Sequence, residues 1–343
     1  MRVLRGLFGT RGNAVLSLAM IALFALTVPR FLQWALLDAT WVGVSRRACG
    51  PDGACWAFVS ARFPLFVYGR YPASEWWRVD LSFVLLAIAC LGSLFAGRRR
   101  GLFLLMLLIG VPLVGGVLLI GGVANLPLVD MADWGGLMLN VILSFVTIAA
   151  ALPLAVLLAF ARRSELPILS WGATAFIEFW RGVPLLAVLF MGLIMLPMFL
   201  PDGMTVPNLL RAITVLTLFE SAYLAETIRG GLQGVPSGQT EAAQALGMHH
   251  AQVQLIVVLP QALRSSIPGI INIVVDLFKD TTLVSIVGLF DLMGVITQAL
   301  KDPSWLGLAS EGYTFAALAF FVCCLLFSLA GGYLEKQYSQ TRR

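Results

Sequence analysis

The sequence predicts an all-α polytopic membrane protein with about eight transmembrane helices. Of the 343 residues, 59% are hydrophobic and only 12% are charged, and the mean hydropathy is +0.90. This composition is too apolar for a domain that faces water on all sides. In addition, the apolar residues fall in runs close to the ~20 residues that a helix needs to cross the hydrocarbon core.

Eight runs reach this length, some of them with polar insertions. They are residues 13–29, 80–97, 102–122, 136–160, 178–200, 208–230, 266–290 and 313–334. The first run follows Arg2, Arg5 and Arg11, as in a signal peptide, but no small-residue cleavage site comes after it. We therefore interpret it as a retained signal anchor.

Short arginine clusters indicate how the chain is oriented. With a cytoplasmic N-terminus, Arg98–Arg100, Arg162 and Arg163 fall on cytoplasmic turns, together with the basic tail 335–343. This agrees with the excess of basic residues on the inner side of membrane proteins. The net charge of +5 therefore reflects membrane orientation, and we expect no nucleic-acid partner.

The long loop 30–78 is the exception, because its arginines lie outside in this orientation. Its five tryptophans are typical of an interfacial, partly folded segment. Cys49 and Cys55 lie in this loop with turn residues between them. An outward location favours a disulfide between them, and two free thiols are the alternative.

The spans group into two modules and a tail. Residues 1–134 contain three helices and the tryptophan-rich loop, and residues 135–334 contain five helices. Turn residues and acids between Asn125 and Asp133 mark the boundary. Residues 335–343 form the tail, which we expect to be cytoplasmic.

One polar, alanine-rich segment, residues 235–260, interrupts the second module. Pro236 and Ser237 predict the start of a short helix, with the Ser237 hydroxyl as its cap. Glu241 places an anion near the positive, N-terminal end of this helix, and Gly247 predicts where the helix ends. The alanines after Glu241 have short side chains, so one face of this helix is nearly smooth and suits docking in a groove of another protein. The alternative is a surface helix whose alanines only favour helix formation.

The order of residues in this segment supports the docking interpretation. It contains Gly238, Glu241, Ala242, Ala243, Gly247, Leu259 and Pro260. This order resembles the "EAA" coupling loop of ABC importer permeases, with Val257 where that family usually has isoleucine. Residues 221–231, Ser-Ala-Tyr-Leu-Ala-Glu-Thr-Ile-Arg-Gly-Gly, resemble the histidine, glutamine and general L-amino-acid branch.

The resemblance covers residues 135–334 and implies the type I importer transmembrane fold. It also implies that the chain is not an enzyme and translocates amino acids across a bacterial inner membrane. The implied partners are ABC ATPase subunits, an extracytoplasmic amino-acid-binding protein and a second permease subunit, which we expect to be a related chain. The three-helix extension is similar to that of general L-amino-acid permeases.

Ionisable residues at membrane depth are functional candidates, because they are costly there. The first group is Glu178, Arg181, Gly182 and Pro184. We expect a cytoplasmic-side segment that bends at Gly182 and Pro184 before it crosses the membrane. Glu178 and Arg181 are three residues apart and can pair on one face, as a structural tie or as a ligand contact.

Glu220 and Glu226 lie on the next predicted helix. For Glu226 the simplest interpretation is a structural tie to Arg229. Glu220 lies near mid-span, and two interpretations remain open. Its carboxylate meets a substrate ammonium in a passage, or it bonds to another helix.

A third group follows at Lys279, Asp280, Thr281 and Thr282, and it resembles the Lys-x-Thr-Ser-Leu sequence of the same family. With Glu220, these residues supply both signs of charge for a zwitterionic amino acid. The alternative is a self-neutralising cluster in which Lys279 pairs with Asp276.

The sequence contains no Gly-x-x-x-x-Gly-Lys-Ser/Thr phosphate loop and no His-Glu-x-x-His pattern. We therefore expect ATP hydrolysis on a partner chain, no metal and no cofactor. An ion-coupled secondary transporter that uses buried carboxylates is the rival hypothesis.

Overall fold

The computed structural model describes residues 8–201 and 203–340, and regular structure within these ranges is helical. Arg2 and Arg5, which support the signal-anchor interpretation, and residues 341–343 of the tail lie outside these ranges. The longer helices are α1 (Arg11–Leu32), α2 (Trp56–Tyr68), α3 (Trp76–Phe95), α4 (Arg100–Ile120), α5 (Gly136–Arg162), α6 (Pro167–Gly182), α7 (Leu185–Phe199), α8 (Asn208–Gln233), α9 (Ser237–Ala245), α10 (Leu259–Asp280), α11 (Leu292–Ala299) and α12 (Ala309–Gln340).

Five of the described helices are long and apolar enough to cross a membrane, and a bent pair raises the number to six. The five are α1, α3, α4, α5 and α12, and the pair is α6 with α7. The predicted runs 208–230 and 266–290 also form long helices, α8 and α10. These two are more polar, because they carry the ionisable groups of the candidate site.

Two predicted boundaries are wrong. The run 178–200 does not form one helix, because Pro167–Gly182 and Leu185–Phe199 are separate helices that meet at 101°. Pro184 precedes α7 with extended backbone and Gly182 ends α6, which confirms the predicted bend. The run 266–290 ends its α-helix at Asp280 and continues as a 3₁₀ turn over Thr281–Val287.

The described chain divides into two compact units. One contains residues 8–63 and 296–315, and the other contains residues 64–201, 203–295 and 316–340. Neither boundary coincides with residue 134. The division into an extension and a core at that position stays a prediction.

In the larger unit, α8 is the central helix and packs against α5 and α10. Small residues allow the close approach to α10. A Cβ on Gly231 would lie 2.2 Å from Ser266 Oγ and 2.5 Å from the carbonyl oxygen of Ala262. Fully buried Ala225 and Ile228 belong to the same apolar cluster as Ala262. The close contact therefore requires glycine at position 231.

In the smaller unit, the tryptophan-rich loop is folded. Cys49 and Cys55 are joined by a disulfide, with their Cα atoms 5.5 Å apart. The backbone N–H of Cys55 donates to buried Glu311 Oε1 at 3.0 Å, and the Trp56 indole donates to the carbonyl of Ala35 at 2.7 Å. The first bond joins the loop to the first turn of α12, and the second joins two parts of the loop to each other.

An ion pair strengthens the same unit. Arg62 of α2 donates to Asp302 in the loop between α11 and α12. The backbone N–H of Ser304 also donates to Asp302, at 2.9 Å. This backbone bond, together with the nearby Arg62, holds the pKa of Asp302 below its ordinary value.

Candidate functional site

The polar, alanine-rich segment folds as the helix α9 at the predicted position, with one correction at its start. Ser237 is the first helical residue, so its hydroxyl does not cap the helix. The preceding residue is Pro236, and no side chain bonds to the free N–H groups. Pro236 has no N–H of its own and has extended backbone here, with φ −59° and ψ 139°. Pro236 therefore favours a helix start here through its restricted backbone conformation, and not through a capping hydrogen bond.

The end of α9 is closed at Gly247, as the sequence predicts. Gly247 has φ +82°, a left-handed conformation that favours glycine. Its N–H donates to the carbonyl of Gln244 at 2.9 Å, and the N–H of Met248 donates to that of Ala243 at 3.2 Å. This pair of bonds is the Schellman motif, which satisfies carbonyls that a helix end leaves free. Gly247 thus fixes where the chain turns back.

The two faces of α9 differ. Ala243 is buried in an apolar cluster with Val253 and Val258, whereas Gly238, Glu241 and Ala242 are exposed. Leu259, which begins α10, is half-buried, and Pro260 is exposed. The helix is therefore fixed by one small side chain and leaves the acid and its neighbours free to contact a partner.

Sequence reasoning missed an apolar surface beside α9. Leu246 is 84% exposed, and Leu255 and Ile256 are more than half exposed. The latter two lie on the wide π-helical turn Val253–Val258 that leads into α10. A leucine at the end of the predicted helix, Leu246, and an apolar run that follows soon after it are the sequence features that could have indicated such a surface. Large exposed apolar side chains beside polar ones are typical of interaction sites.

An ionic cluster lies where α5, α6 and α8 come together. Arg162, at the end of α5, pairs with Glu178 of α6 at 2.8 Å and with Glu226 of α8 at 3.1 Å. Arg229 Nε donates to Glu226 Oε2 at 2.9 Å, which confirms the predicted tie. Glu178 and Arg181 could pair by spacing, but the structure pairs Glu178 with Arg162 of another helix.

Arg181 has a different partner. Its guanidinium lies over the ring of Tyr223, 5.8 Å from the centroid, which is within the range of a cation–π contact. Tyr223 is on α8, so Arg181 ties the end of α6 to α8 just before the bend at Gly182 and Pro184. Sequence spacing within one helix does not reveal either contact, because both partners come from other helices.

Glu220 is buried on α8, with 4% of its surface exposed. Asp280 and Asp276 of α10 are its charged neighbours. Lys279 pairs with Asp276 at 2.8 Å, as predicted, and both side chains are more than half exposed. Thr282 donates to the carbonyl of Lys279 at 2.9 Å. The two helices therefore bring three carboxylates and one ammonium into one region.

Thr281 does not belong with this group. It is fully buried, and its hydroxyl donates to the carbonyl of Phe278 at 2.7 Å and accepts from Asn140 Nδ2 at 2.8 Å. The hydroxyl is thus occupied within the protein. This corrects the expectation that Thr281 lines a substrate path.

Asn140 and Asp291 complete the buried network, and sequence reasoning missed both. Asn140 Nδ2 also donates to Asp291 Oδ2 at 3.1 Å, and Asn140 Oδ1 accepts from the N–H of Leu292 at 2.9 Å. Asp291 accepts from the N–H of Gly294 at 2.9 Å and so caps α11. The Asp that precedes an apolar run was the available signal. Nothing in the sequence predicts that Asn140 reaches it.

Comparison with known proteins identifies the family. Residues 151–340, more than half of the chain, match the model of the binding-protein-dependent transport system inner membrane component family. The chain belongs to this family. The permease is thus a multi-pass inner-membrane transport subunit, and not itself an enzyme. Membership does not favour the rival hypothesis of an ion-coupled secondary transporter.

Two relatives match the permease over most of its length. It is 44% identical to the inner membrane amino-acid ABC transporter permease protein YhdY of Escherichia coli K12, over 99% of this chain and 93% of that one. It is 35% identical to the glutamate/glutamine/aspartate/asparagine transport system permease protein BztC of Rhodobacter capsulatus, over 90% and 86% of the two chains.

A solved structure supports the fold. The crystal structure of an amino acid ABC transporter with histidines matches the permease with a TM-score of 0.53 and 31% identity, over 59% of this chain and 92% of that one. The permease therefore has the transmembrane fold of type I ABC importers, as predicted.

Proposed function

We propose that this permease translocates amino acids as part of an ABC importer and that ATPase subunits dock on α9. The observation that carries the proposal is the construction of α9. It is a short helix with a fixed end at Gly247, anchored by Ala243, and it leaves Glu241 and Ala242 exposed. Family membership supports ATPase and binding-protein partners, and the printed names of YhdY and BztC support amino acids as cargo.

The surface around α9 has the composition of a docking site. Glu241 provides a charge, Gly238 and Ala242 provide close approach, and Leu246, with 84% of its surface exposed, provides apolar area. Burying apolar area of this kind against a groove drives association, and the small side chains allow the helix backbone to come close.

Coupling then requires that α9 moves as one body with the spans. Ala243 shares an apolar cluster with Ile228 of α8 and Ala262 of α10, the two helices on either side of α9 in the chain. Arg162 links α8 to α5 and α6 through Glu226 and Glu178. A shift of α9 on ATP binding is therefore passed to several spans at once, as in rigid-body transitions between two states.

For the substrate path, we propose Glu220 with Lys279, Asp280 and Thr282. A zwitterionic amino acid needs an anion for its ammonium group and donors for its carboxylate. Glu220 and Asp280 supply the first, and Lys279 supplies the second. Buried carboxylates at membrane depth are costly, and a cationic group that arrives with the substrate offsets this cost.

The assembly follows from the same proposal. We place both termini and α9 in the cytoplasm and the loop with Cys49 and Cys55 outside, where an amino-acid-binding protein delivers substrate. Residues 135–334 form the importer core and residues 1–134 an extension. The second permease subunit is a related chain, and neither a metal nor a nucleic acid takes part.

Photo-crosslinking tests the docking surface. A benzoylphenylalanine at position 242 should crosslink to the ATPase subunit when the assembled transporter is irradiated. The same group at Leu326, which is 60% exposed on α12, is the control and should react with lipid. The docking proposal is wrong if the probe at position 242 crosslinks only to lipid. It is also wrong if a labelling reagent that is confined to the outer side of the membrane reaches position 242.

Uptake measurements test the role of the charge. Glu241→Lys should abolish ATP-driven amino-acid uptake while the amount of permease in the membrane stays normal. Glu335→Lys makes the same charge change at an exposed position of α12 and should transport normally. Normal uptake by Glu241→Lys would remove this residue from the docking site.

A further inference from the structure

The helix that carries three of the proposed substrate-path residues changes its geometry at those residues. The α-helix α10 ends at Asp280, and the chain continues as a 3₁₀ turn over Thr281–Val287. Lys279 and Asp280 therefore lie just before this transition, and Thr282 lies just after it. A stretch of 3₁₀-helix inside a longer helix often marks a functional hinge. The position of the transition matters, because the two helix types differ in their rotation and rise per residue.

A single buried hydroxyl lies at this transition. Thr281 is fully buried, and its Oγ1 donates to the carbonyl of Phe278 at 2.7 Å. That bond joins Thr281 only to its own helix. The same oxygen accepts from Asn140 Nδ2 at 2.8 Å, and this second bond joins the transition to α5. The end of α10 is therefore held from outside the helix.

Asn140 is itself held by the segment that leads into α11. Its Nδ2 donates to Asp291 Oδ2 at 3.1 Å, and its Oδ1 accepts from the N–H of Leu292 at 2.9 Å. About one turn earlier on α5, the N–H of Gly136 donates to the carbonyl of Phe290 at 2.9 Å. The amide of Asn140 thus has a fixed orientation, because reversing it would bring its NH₂ group against another N–H. Its Nδ2 is directed at Thr281.

Across from this transition lies a carboxylate that depends on accurate placement. Glu220 of α8 is 4% exposed, and Asp280 and Asp276 are its charged neighbours. Among the residues that the structure describes, Lys279 pairs with Asp276 at 2.8 Å, whereas neither Glu220 nor Asp280 forms an ion pair. A substrate ammonium that is to bond to both carboxylates must lie within about 3 Å of each. A small displacement of Asp280 relative to Glu220 therefore weakens binding.

We propose that Asn140 and Thr281 are positioning residues for the substrate path. Their hydrogen bond fixes where α10 becomes a 3₁₀ turn and so sets the positions of Asp280 and Thr282 relative to Glu220. Neither positioning residue contacts the substrate. Moving the transition by one residue would rotate Asp280 by about 20° relative to the anchored turn and shift it by about 0.5 Å. This role rests on the substrate path proposed above.

Amino-acid binding to the assembled transporter tests the positioning role. The transporter in nanodiscs, without ATP or binding protein, is dialysed against an equimolar mixture of radiolabelled L-amino acids, and the half-saturating concentration is measured. Thr281→Val keeps the shape of the side chain and removes the hydroxyl. It should raise the half-saturating concentration about tenfold, as expected when a hydrogen bond to a charged group is weakened. Thr281→Ser keeps the hydroxyl and should bind like the wild type.

The matched control is Thr147→Val. It makes the same change at a fully buried residue of α5, and the Thr147 Oγ1 has no hydrogen-bond partner in the described chain. This variant should bind like the wild type. Size-exclusion chromatography measures the assembled fraction of each variant, and binding is expressed per assembled transporter. A purely structural role of Thr281 would lower the assembled fraction and leave the half-saturating concentration unchanged, which would overturn the positioning role.

Two further variants separate the positioning role from the path itself. Glu220→Gln and Asp280→Asn remove the carboxylates and should weaken binding at least as much as Thr281→Val. If they do so while Thr281→Val binds like the wild type, the path stands and the positioning role is wrong. If both carboxylate variants bind like the wild type, or the wild type does not bind, the path is wrong and the positioning role with it. The role is also overturned if Thr281→Ser or Thr147→Val weakens binding as much as Thr281→Val.

Discussion

Replacing Asn140 with leucine should destabilise the permease more than removing the buried hydroxyl of Ser144 one turn further along α5. Asn140 is fully buried, and it makes hydrogen bonds to Thr281, Asp291 and the N–H of Leu292. Asn140→Leu keeps a similar volume and removes all three bonds. The N–H of Leu292 is left buried without this acceptor, which costs about 1–3 kcal/mol, and the Asp291 carboxylate loses one donor, which costs about 1.5–3 kcal/mol.

The expected loss is therefore ~3–5 kcal/mol, a large fraction of the stability of a typical domain. Unfolding of the purified permease in mixed micelles, followed by circular dichroism against denaturant concentration, measures it. Ser144→Ala is the matched control, because Ser144 is buried one turn further along α5 and bonds only to the carbonyl of Asn140. It should cost less than ~1 kcal/mol. If Asn140→Leu unfolds within ~1 kcal/mol of the wild type, the buried network does not stabilise the protein.

Three further predictions concern other contacts. Gly231→Ala should destabilise the permease by about 1–3 kcal/mol, because the added Cβ meets α10. The adjacent Gly230→Ala is the control and should not destabilise it, because a Cβ there meets no atom within 4 Å. Equal unfolding midpoints of the two variants would contradict this prediction. Because the hydrogen bond from the Ser304 N–H, together with Arg62, lowers the folded pKa of Asp302, these contacts contribute stability above the ordinary pKa of ~3.9 and lose it as pH falls through the folded value. Hydrogen exchange of the Ser304 and Trp305 amides should therefore be faster in Asp302→Asn than in the wild type at pH 7, and this difference should vanish in acid. Intact-protein alkylation should leave Cys49 and Cys55 unmodified until a reductant is added; modification without reductant would contradict the disulfide.

Features set by local chemistry could be predicted from the sequence. The turn at Gly247 needs a left-handed residue, and the bend at Gly182 and Pro184 follows from the limits of proline, so neighbouring residues are enough to locate both. The tie between Glu226 and Arg229 is also local, since residues three apart share a helical face.

Features set by packing between distant segments could not be predicted. Glu178 pairs with Arg162 because α5 and α6 meet there, and a partner on the same helix was equally plausible from spacing. Thr281 was assigned to the substrate path by its place in a motif, but Asn140, 141 residues earlier in the chain, occupies its hydroxyl. Which of several polar groups meet depends on helix packing, and a single sequence does not specify it.

The first helix, α1, has no buried residue along Arg11–Leu32. Within the described chain, burial against other helices therefore does not fix its position, and we expect its length and hydrophobicity to determine its insertion. The order of its apolar residues should be almost free to change, provided that length and hydrophobicity are kept. Unrelated apolar segments of equal length could be exchanged for it, which makes α1 a natural position for attaching a tag, a probe or a tether to this permease.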